Sequence, residues 1–314
     1  MKAKFTVLIV LAIVLILAFL FVDAGGNWDY IIPRRLKKIL AIVLTGGAIA
    51  YSTMVFQTIT NNRILTPSIL GLDSLYMFIQ TLVIFFFGST NLTMANKNIN
   101  FLISVGLMVV FSAILYKLLF KREGQNIYFL LLIGLIFGTL FQSMSSFMEV
   151  LIDPNEFLTI QDRMFASFNN VNSEILLISV IAMLILALYS ARFAKYLDVL
   201  SLGKDHAVNL GLDYDYVVKR MLVVVAILVS IATALVGPIT FLGLLVANVT
   251  QQMFKTYSHK VLLSGSILIS IVALIGGQLV VERVFTFSTT ISVIINFIGG
   301  VYFIYLLLKE NKSW

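Results

Sequence analysis

Apolar residues in this chain are gathered into blocks rather than alternated with polar ones. Ten blocks stand out, at roughly 5–22, 39–59, 69–88, 100–119, 127–149, 173–192, 221–237, 238–254, 261–281 and 291–308. About 20 apolar residues is the length that carries a helix across a bilayer core. A backbone in lipid has no water to bond, so a helix, which satisfies its own N–H and C=O groups, is the expected form. A transmembrane barrel would instead show alternation over roughly 10 residues. The seventh and eighth blocks run together, and Gly237-Pro238 divides them, because proline breaks a helix and glycine permits a tight turn. The expectation is an all-α polytopic membrane protein of about ten transmembrane helices, a single domain over residues 1–314.

Composition agrees with the pattern. Sixty per cent of the residues are hydrophobic and 12% are charged, against roughly 25% charged in a soluble domain. The formal charge of +7 is better explained by topology than by nucleic acid. With ten spans and the N-terminus inside, fifteen of the 22 lysines and arginines fall on the inner side, Lys121, Arg122, Lys309 and Lys312 among them. Seven fall outside: Arg34, Arg35, Lys37, Lys38, Lys97, Arg163 and Arg283. The positive-inside rule then places both termini in the cytoplasm, with the chain in the plasma membrane. The cluster Arg34–Lys38 violates that rule locally and asks for a reason. Reading the first block as a signal peptide is weaker than reading it as a span. Its apolar run of about 18 residues exceeds the usual 7–15, and the cleavage pattern is poor.

The blocks also exclude chemistry. The chain has no cysteine, which removes disulfides, thiolate metal sites and cysteine nucleophiles together. His206 and His259 lie far apart in polar stretches, so no metal site is expected. No block carries an ionisable residue near its middle, which weakens a proton-relay transporter. There is no H-E-x-x-H helix and no G-x-x-x-x-G-K-[ST] loop. The chain is expected to be a transport subunit rather than an enzyme, binding no cofactor itself. Energy for uphill transport must come from a partner.

Uncharged polar residues do occur in the blocks. Gly138, Gln142, Ser145, Ser146 and Glu149 recur at helical spacing in the fifth, and Ser292, Asn296, Gly299 and Gly300 in the tenth. Small residues at such positions serve helix packing. Gln142, Ser146, Ser292 and Asn296 are candidates for a translocation path, since polar groups in spans often face water.

Three stretches carry a resemblance. The first runs from Pro33-Arg34-Arg35-Leu36 through Gly46-Gly47-Ala48 and Gln57 to Asn61-Asn62, Thr66-Pro67 and Leu70-Gly71-Leu72. The second is Leu202-Gly203-Lys204, Ala207 and Leu210-Gly211-Leu212. The third is Val236-Gly237-Pro238-Ile239-Thr240-Phe241-Leu242-Gly243-Leu244, followed by Gly299-Gly300-Val301-Tyr302-Phe303 and Leu306-Leu307-Leu308-Lys309. Together these resemble the FecCD family of ABC importer permeases, which serve iron–siderophore, haem and vitamin B12 uptake. The match in order and spacing extends from about Pro33 to Lys309. Within the family the chain looks similar to siderophore permeases of Gram-positive bacteria of the petrobactin type.

The resemblance implies a permease that passes ferric siderophore through the membrane. Its implied partners are a second permease, two cytoplasmic ATPases that bind ATP and magnesium, and an extracytoplasmic siderophore-binding lipoprotein. It implies that Arg34, Arg35 and Arg283 pair with carboxylates of the binding protein, where a lipid-interface anchor is the alternative. The inner loop at about 193–220 resembles the coupling helices that seat in an ATPase cleft. Gly203 and Gly211 bracket a short helix there, with a second expected after it, and Gly203, Lys204, Ala207, Leu210 and Gly211 would carry the contact. The chain departs from the family at Ile31, where arginine is frequent. It departs again at Ala247-Asn248 and Gln251, where Pro-His and arginine are frequent. An ion-coupled secondary transporter built of inverted repeats is the rival class, and no charged midplane site supports it.

Overall fold

The computed structural model describes residues 2–22, 28–88, 97–119, 127–169 and 171–310. Lys121, Arg122 and Lys312 lie outside these, as does the side chain of Lys309. The described residues are helical throughout apart from their connections. The first half holds α1 (Lys2–Phe21), α2 (Trp28–Thr60), a 3-10 turn (Pro67–Leu70), α3 (Leu72–Phe87), α4 (Lys97–Leu119) and α5 (Ile127–Leu151). A short α6 (Pro154–Met164) and α7 (Ser173–Ala191) come next, then two short helices, α8 (Ala194–Leu200) and α9 (Lys204–Asn209). The chain ends with α10 (Tyr214–Val236), α11 (Leu242–Phe254), α12 (His259–Arg283) and α13 (Ile291–Glu310).

Every apolar block has become a helix, but not every block is a full crossing. Among the described residues, seven helices are long and apolar enough to cross a membrane: α1, α2, α4, α5, α7, α10 and α12. Helix α3 has 16 residues and α11 only 13, short of the 20 or so that a perpendicular crossing needs. The reason at α11 is local. Gly237 stands at φ 101°, Pro238 brings no N–H, and residues 237–241 run as a loop before the helix begins.

Two boundaries differ from the sequence pattern. Helix α2 begins at Trp28, eleven residues before its apolar block, and carries Pro33 inside. Pro33 is its sixth residue and, lacking an N–H, leaves Asp29 O without its intrahelical bond one turn from the helix start. Residues 214–220 belong to α10 rather than to the inner loop, because Asp213 caps them by accepting from Tyr216 N at 3.1 Å.

Helices α2 and α10 are central, with 67% and 72% of their apolar windows buried. Helix α2 packs against α12, α10 and α11, while α3 lies on α5 and α4 on α10. Helices α1, α5 and α7 are peripheral, at 22–28% buried. Their outward Leu, Ile, Val and Phe side chains are stable only against lipid or another apolar surface.

Tight backbone crossings fix the geometry. A Cβ on Gly46 would lie 2.6 Å from Ser270 Oγ, so α2 and α12 touch backbone to side chain at mid-height. A Cβ on Gly71 would lie 2.9 Å from Gly134 O and Gly138 Cα, which seats the 3-10 turn on α5.

Candidate functional site

One end of the helix bundle gathers the basic cluster. The last carbonyls of α1 have no partner within that helix, and its dipole leaves negative charge there. Arg35 answers this from α2: its Nη1 donates to Phe19 O, Leu20 O and Val22 O at 3.0, 2.8 and 2.8 Å. Arg283 Nη2, at the end of α12, donates to Val22 O at 2.6 Å. Lys38 Nζ meets Glu282 Oε1 at 2.8 Å, both side chains 11% exposed, and Gln278 Nε2 donates to the same oxygen at 3.0 Å. The ammonium also lies 5.6 Å from the centre of the Phe287 ring. Arg34 is exposed. It shares a cavity of about 530 Å³ with Tyr30, Arg35, Lys38, Glu282 and Arg283.

The structure therefore divides the expected docking residues. Arg34 faces outward, while Arg35 and Arg283 clamp the end of α1. Lys38, at the edge of the second apolar block, does not reach out to the lipid boundary. It is buried in an ion pair, and its partner is Glu282, a residue that no sequence motif marks.

The opposite end carries α8 and α9, together with the N-terminal end of α1. Lys4 Nζ donates to Met253 O at 2.6 Å, at the last turn of α11. Gly203 and Gly211 bracket α9 at φ 93° and 82°, conformations that favour glycine. Gly211 N donates to Val208 O and Leu212 N to Ala207 O, which closes the helix end. The second short helix, α8, precedes α9, whereas the sequence placed it afterwards; the helix after α9 is α10 itself. Ala207 is fully buried and so faces its own chain. Leu210 is 66% exposed, with Leu202 and Val208 beside it in sequence at 54% and 50%. Lys204 lies 3.6 Å from Asp215 and over the Tyr214 ring.

Close by, carboxamides clasp the α2 end. Gln57 Nε2 and Asn248 Nδ2 both donate to Arg63 O, at 2.6 and 3.0 Å, and Gln251 Nε2 donates to Gln57 Oε1 at 3.0 Å. Asn248 and Gln251 are two of the positions where the sequence departs from the family pattern. The Asn248 amide holds the loop after α2 against α11, and the Gln251 amide ties α2 itself to α11.

Histidine 259 is not in a loop. It opens α12, is 3% exposed, and bonds Asp198 of α8 and Thr58 of α2. Nothing in its local sequence signals this, because both partners are distant in the chain.

The expected path residues separate as well. Gln142 and Ser146 are exposed on α5, whereas Ser145 is buried and Gly138 packs on Gly71. Ser292 is buried and its Oγ accepts from Ala166 N at 3.1 Å. Asn296 is half-buried and its Oδ1 accepts from Phe241 N at 3.4 Å, ahead of α11. Asp73, at the start of α3, accepts from Thr240 and Thr233 hydroxyls at 3.3 and 3.5 Å. It is a carboxylate inside the bundle, although it stands at the edge of its apolar block.

The described residues form a many-helix membrane bundle with polar clusters at its two ends. The FecCD transport family matches residues 5–309, and the chain belongs to that family. It is 68% identical to the petrobactin import system permease protein YclO of Bacillus subtilis, over 100% of this chain and 99% of that one. It is 39% identical to the petrobactin import system permease protein FatC of Bacillus anthracis, over 90% of this chain and 79% of that one. A solved chain described as of the metal-chelate ABC transporter type, in an inward-facing conformation, superposes with a TM-score of 0.84. That superposition covers 96% of this chain and 97% of the other at 24% identity, a likeness of fold.

Proposed function

We propose that this chain is the permease subunit of an ABC importer that carries a ferric siderophore of the petrobactin class across the plasma membrane. The observation that carries the reading is the 68% identity to a petrobactin permease over the whole length. Ten passes are proposed, with α3 and α11 as short members and both termini in the cytoplasm. The partners are a second permease of the family, two ATPases that bind ATP and magnesium at the face of α8 and α9, and a siderophore-binding lipoprotein at the face of Arg34. The chain holds no cofactor of its own. Leu202, Val208 and Leu210 supply apolar contact for the ATPase, and Gly203 and Gly211 fix the ends of the helix between them. Gln142 and Ser146 line the path on α5.

The test is reconstitution of the permease with its ATPase, its permease partner and its binding protein in proteoliposomes. Uptake of ferric petrobactin is expected to require ATP and to stop when the ATPase is inactivated. Uptake that persists without a working ATPase and follows an ion gradient would overturn the reading in favour of a secondary carrier.

A further inference from the structure

Helices α2 and α12 are joined at three heights by different physical means. At the end that bears Arg34, the Lys38–Glu282 ion pair is almost dry. At mid-height Gly46 lets Ser270 and Leu274 press against the α2 backbone. At the other end His259 Nε2 and Thr58 Oγ1 lie 2.8 Å apart, both residues buried. An α2 of 33 residues is about 50 Å long at 1.5 Å per residue, more than the roughly 30 Å hydrocarbon core. The pair therefore reaches from one face of the membrane to the other.

The lower junction also holds the coupling segment. Asp198 Oδ1 accepts from His259 N and from His259 Nδ1, each at 2.7 Å. Ser258, at the cap position of α12, makes no side-chain bond to that helix. A residue of α8 thus caps α12 in its place. A carboxylate only accepts, so Nδ1 carries a proton, and the Nε2–Thr58 bond closes the chain from α8 through α12 to α2. Leu197 and Leu200 of α8 are buried in one apolar cluster with Leu262 and Leu263 of α12, which fixes the direction of the carboxylate. Helix α9 begins soon after α8 ends, and Gly203 there approaches Asn61 at the end of α2.

We propose that α2 and α12 move as one strut, and that Asp198, His259 and Thr58 are positioning residues that latch the strut to the coupling segment. Docking at Arg34 is then reported to the ATPase along this pair. The inference rests on the importer reading and adds the route by which one face informs the other. What supports it is the spacing of an ion pair, a close-packed glycine crossing and a hydrogen-bonded junction along two long helices, the last reaching the half-exposed Asp198 of α8.

The experiment uses the assembled complex in proteoliposomes and reads three quantities: binding-protein affinity, basal ATP hydrolysis, and its stimulation by the binding protein. Thr58→Val and His259→Asn are expected to keep affinity and basal hydrolysis and to lose about fivefold of the stimulation, a common size for coupling between sites. Thr58→Ser, which keeps the hydroxyl, retains it. Full stimulation in both Thr58→Val and His259→Asn overturns the latch. A second measurement does not depend on how those variants fold. The chain has no native cysteine, and a Cβ on Gly47 would lie 3.8 Å from Ile267 Cγ2. Gly47→Cys with Ile267→Cys therefore puts two thiols at a contact of the two helices, and mass spectrometry confirms that the cross-link has formed before transport is read. If they move as one body, oxidation leaves uptake and stimulation unchanged. Arrest on oxidation, reversed by reductant, overturns the strut. Failure of the importer reading looks different: the unmodified complex then shows no ATP-driven uptake, while the cross-link still forms.

Discussion

Lys38 and Glu282 lose most of their water in the folded chain, and each then depends on the other. Removing one member of a buried pair strands a charge and costs about 3–5 kcal/mol, whereas replacing both with apolar groups is often neutral. Lys38→Met is therefore expected to lower the thermal midpoint of the purified permease in detergent, with Lys38→Met/Glu282→Leu recovering most of the loss. Lys37→Gln, at an exposed neighbour, is expected to stay close to the parent. Equal midpoints for the single and double variants would show that the pairing is not what holds Lys38. The same logic applies to Arg35. Its three carbonyl partners at the end of α1 make Arg35→Glu a lesion of folding before it is a lesion of docking.

Among the helices, α9 is held by its ends. A β-branched residue at Gly211 must adopt a left-handed conformation, which costs about 1–2 kcal/mol, although no atom blocks the space. Gly211→Val is expected to leave the permease in the membrane and bound to its ATPase while uptake per ATP hydrolysed falls. Ala207→Trp differs: the site is enclosed by the chain itself, so abundance should drop along with uptake. On α13, Ser292 takes the N–H of Ala166, and Ser292→Ala leaves a buried donor unpaired at about 1–3 kcal/mol. Gln142→Leu, at an exposed position on α5, is expected to lower uptake without lowering abundance. Uptake normalised to assembled complex separates the two outcomes.

Across the full height of the bundle, the two faces are built differently. The face of α8 and α9 presents apolar side chains between glycine-defined turns, and the far face presents Arg34 beside a ring of spent cations. Charges at an interface rim act mainly on association rate and on salt dependence. Arg34→Glu is expected to slow association of the binding protein at low ionic strength and to lower uptake at limiting siderophore. Exchange of a matching carboxylate on the binding protein for lysine should restore part of it. An unchanged association rate in a correctly inserted Arg34→Glu permease would exclude this arginine from docking.

That the chain is all-α and lies in a membrane was already legible in its residues, because block length and the need to satisfy backbone groups in lipid are local demands. So were the family and the places of the Gly237-Pro238 break and of α9, since proline and left-handed glycine act through their own backbone angles. The residues did not separate Arg34 from Arg35, because neighbours on a helix point about 100° apart and only the position of α1 selects which one is claimed. Nor did they pair Lys38 with Glu282, or join Asp198, His259 and Thr58. Those partners are up to 244 residues apart, and no local pattern marks a side chain as buried when what buries it is another helix. Packing settled these, because a charge or an imidazole removed from water must find its partner wherever the assembled helices place one.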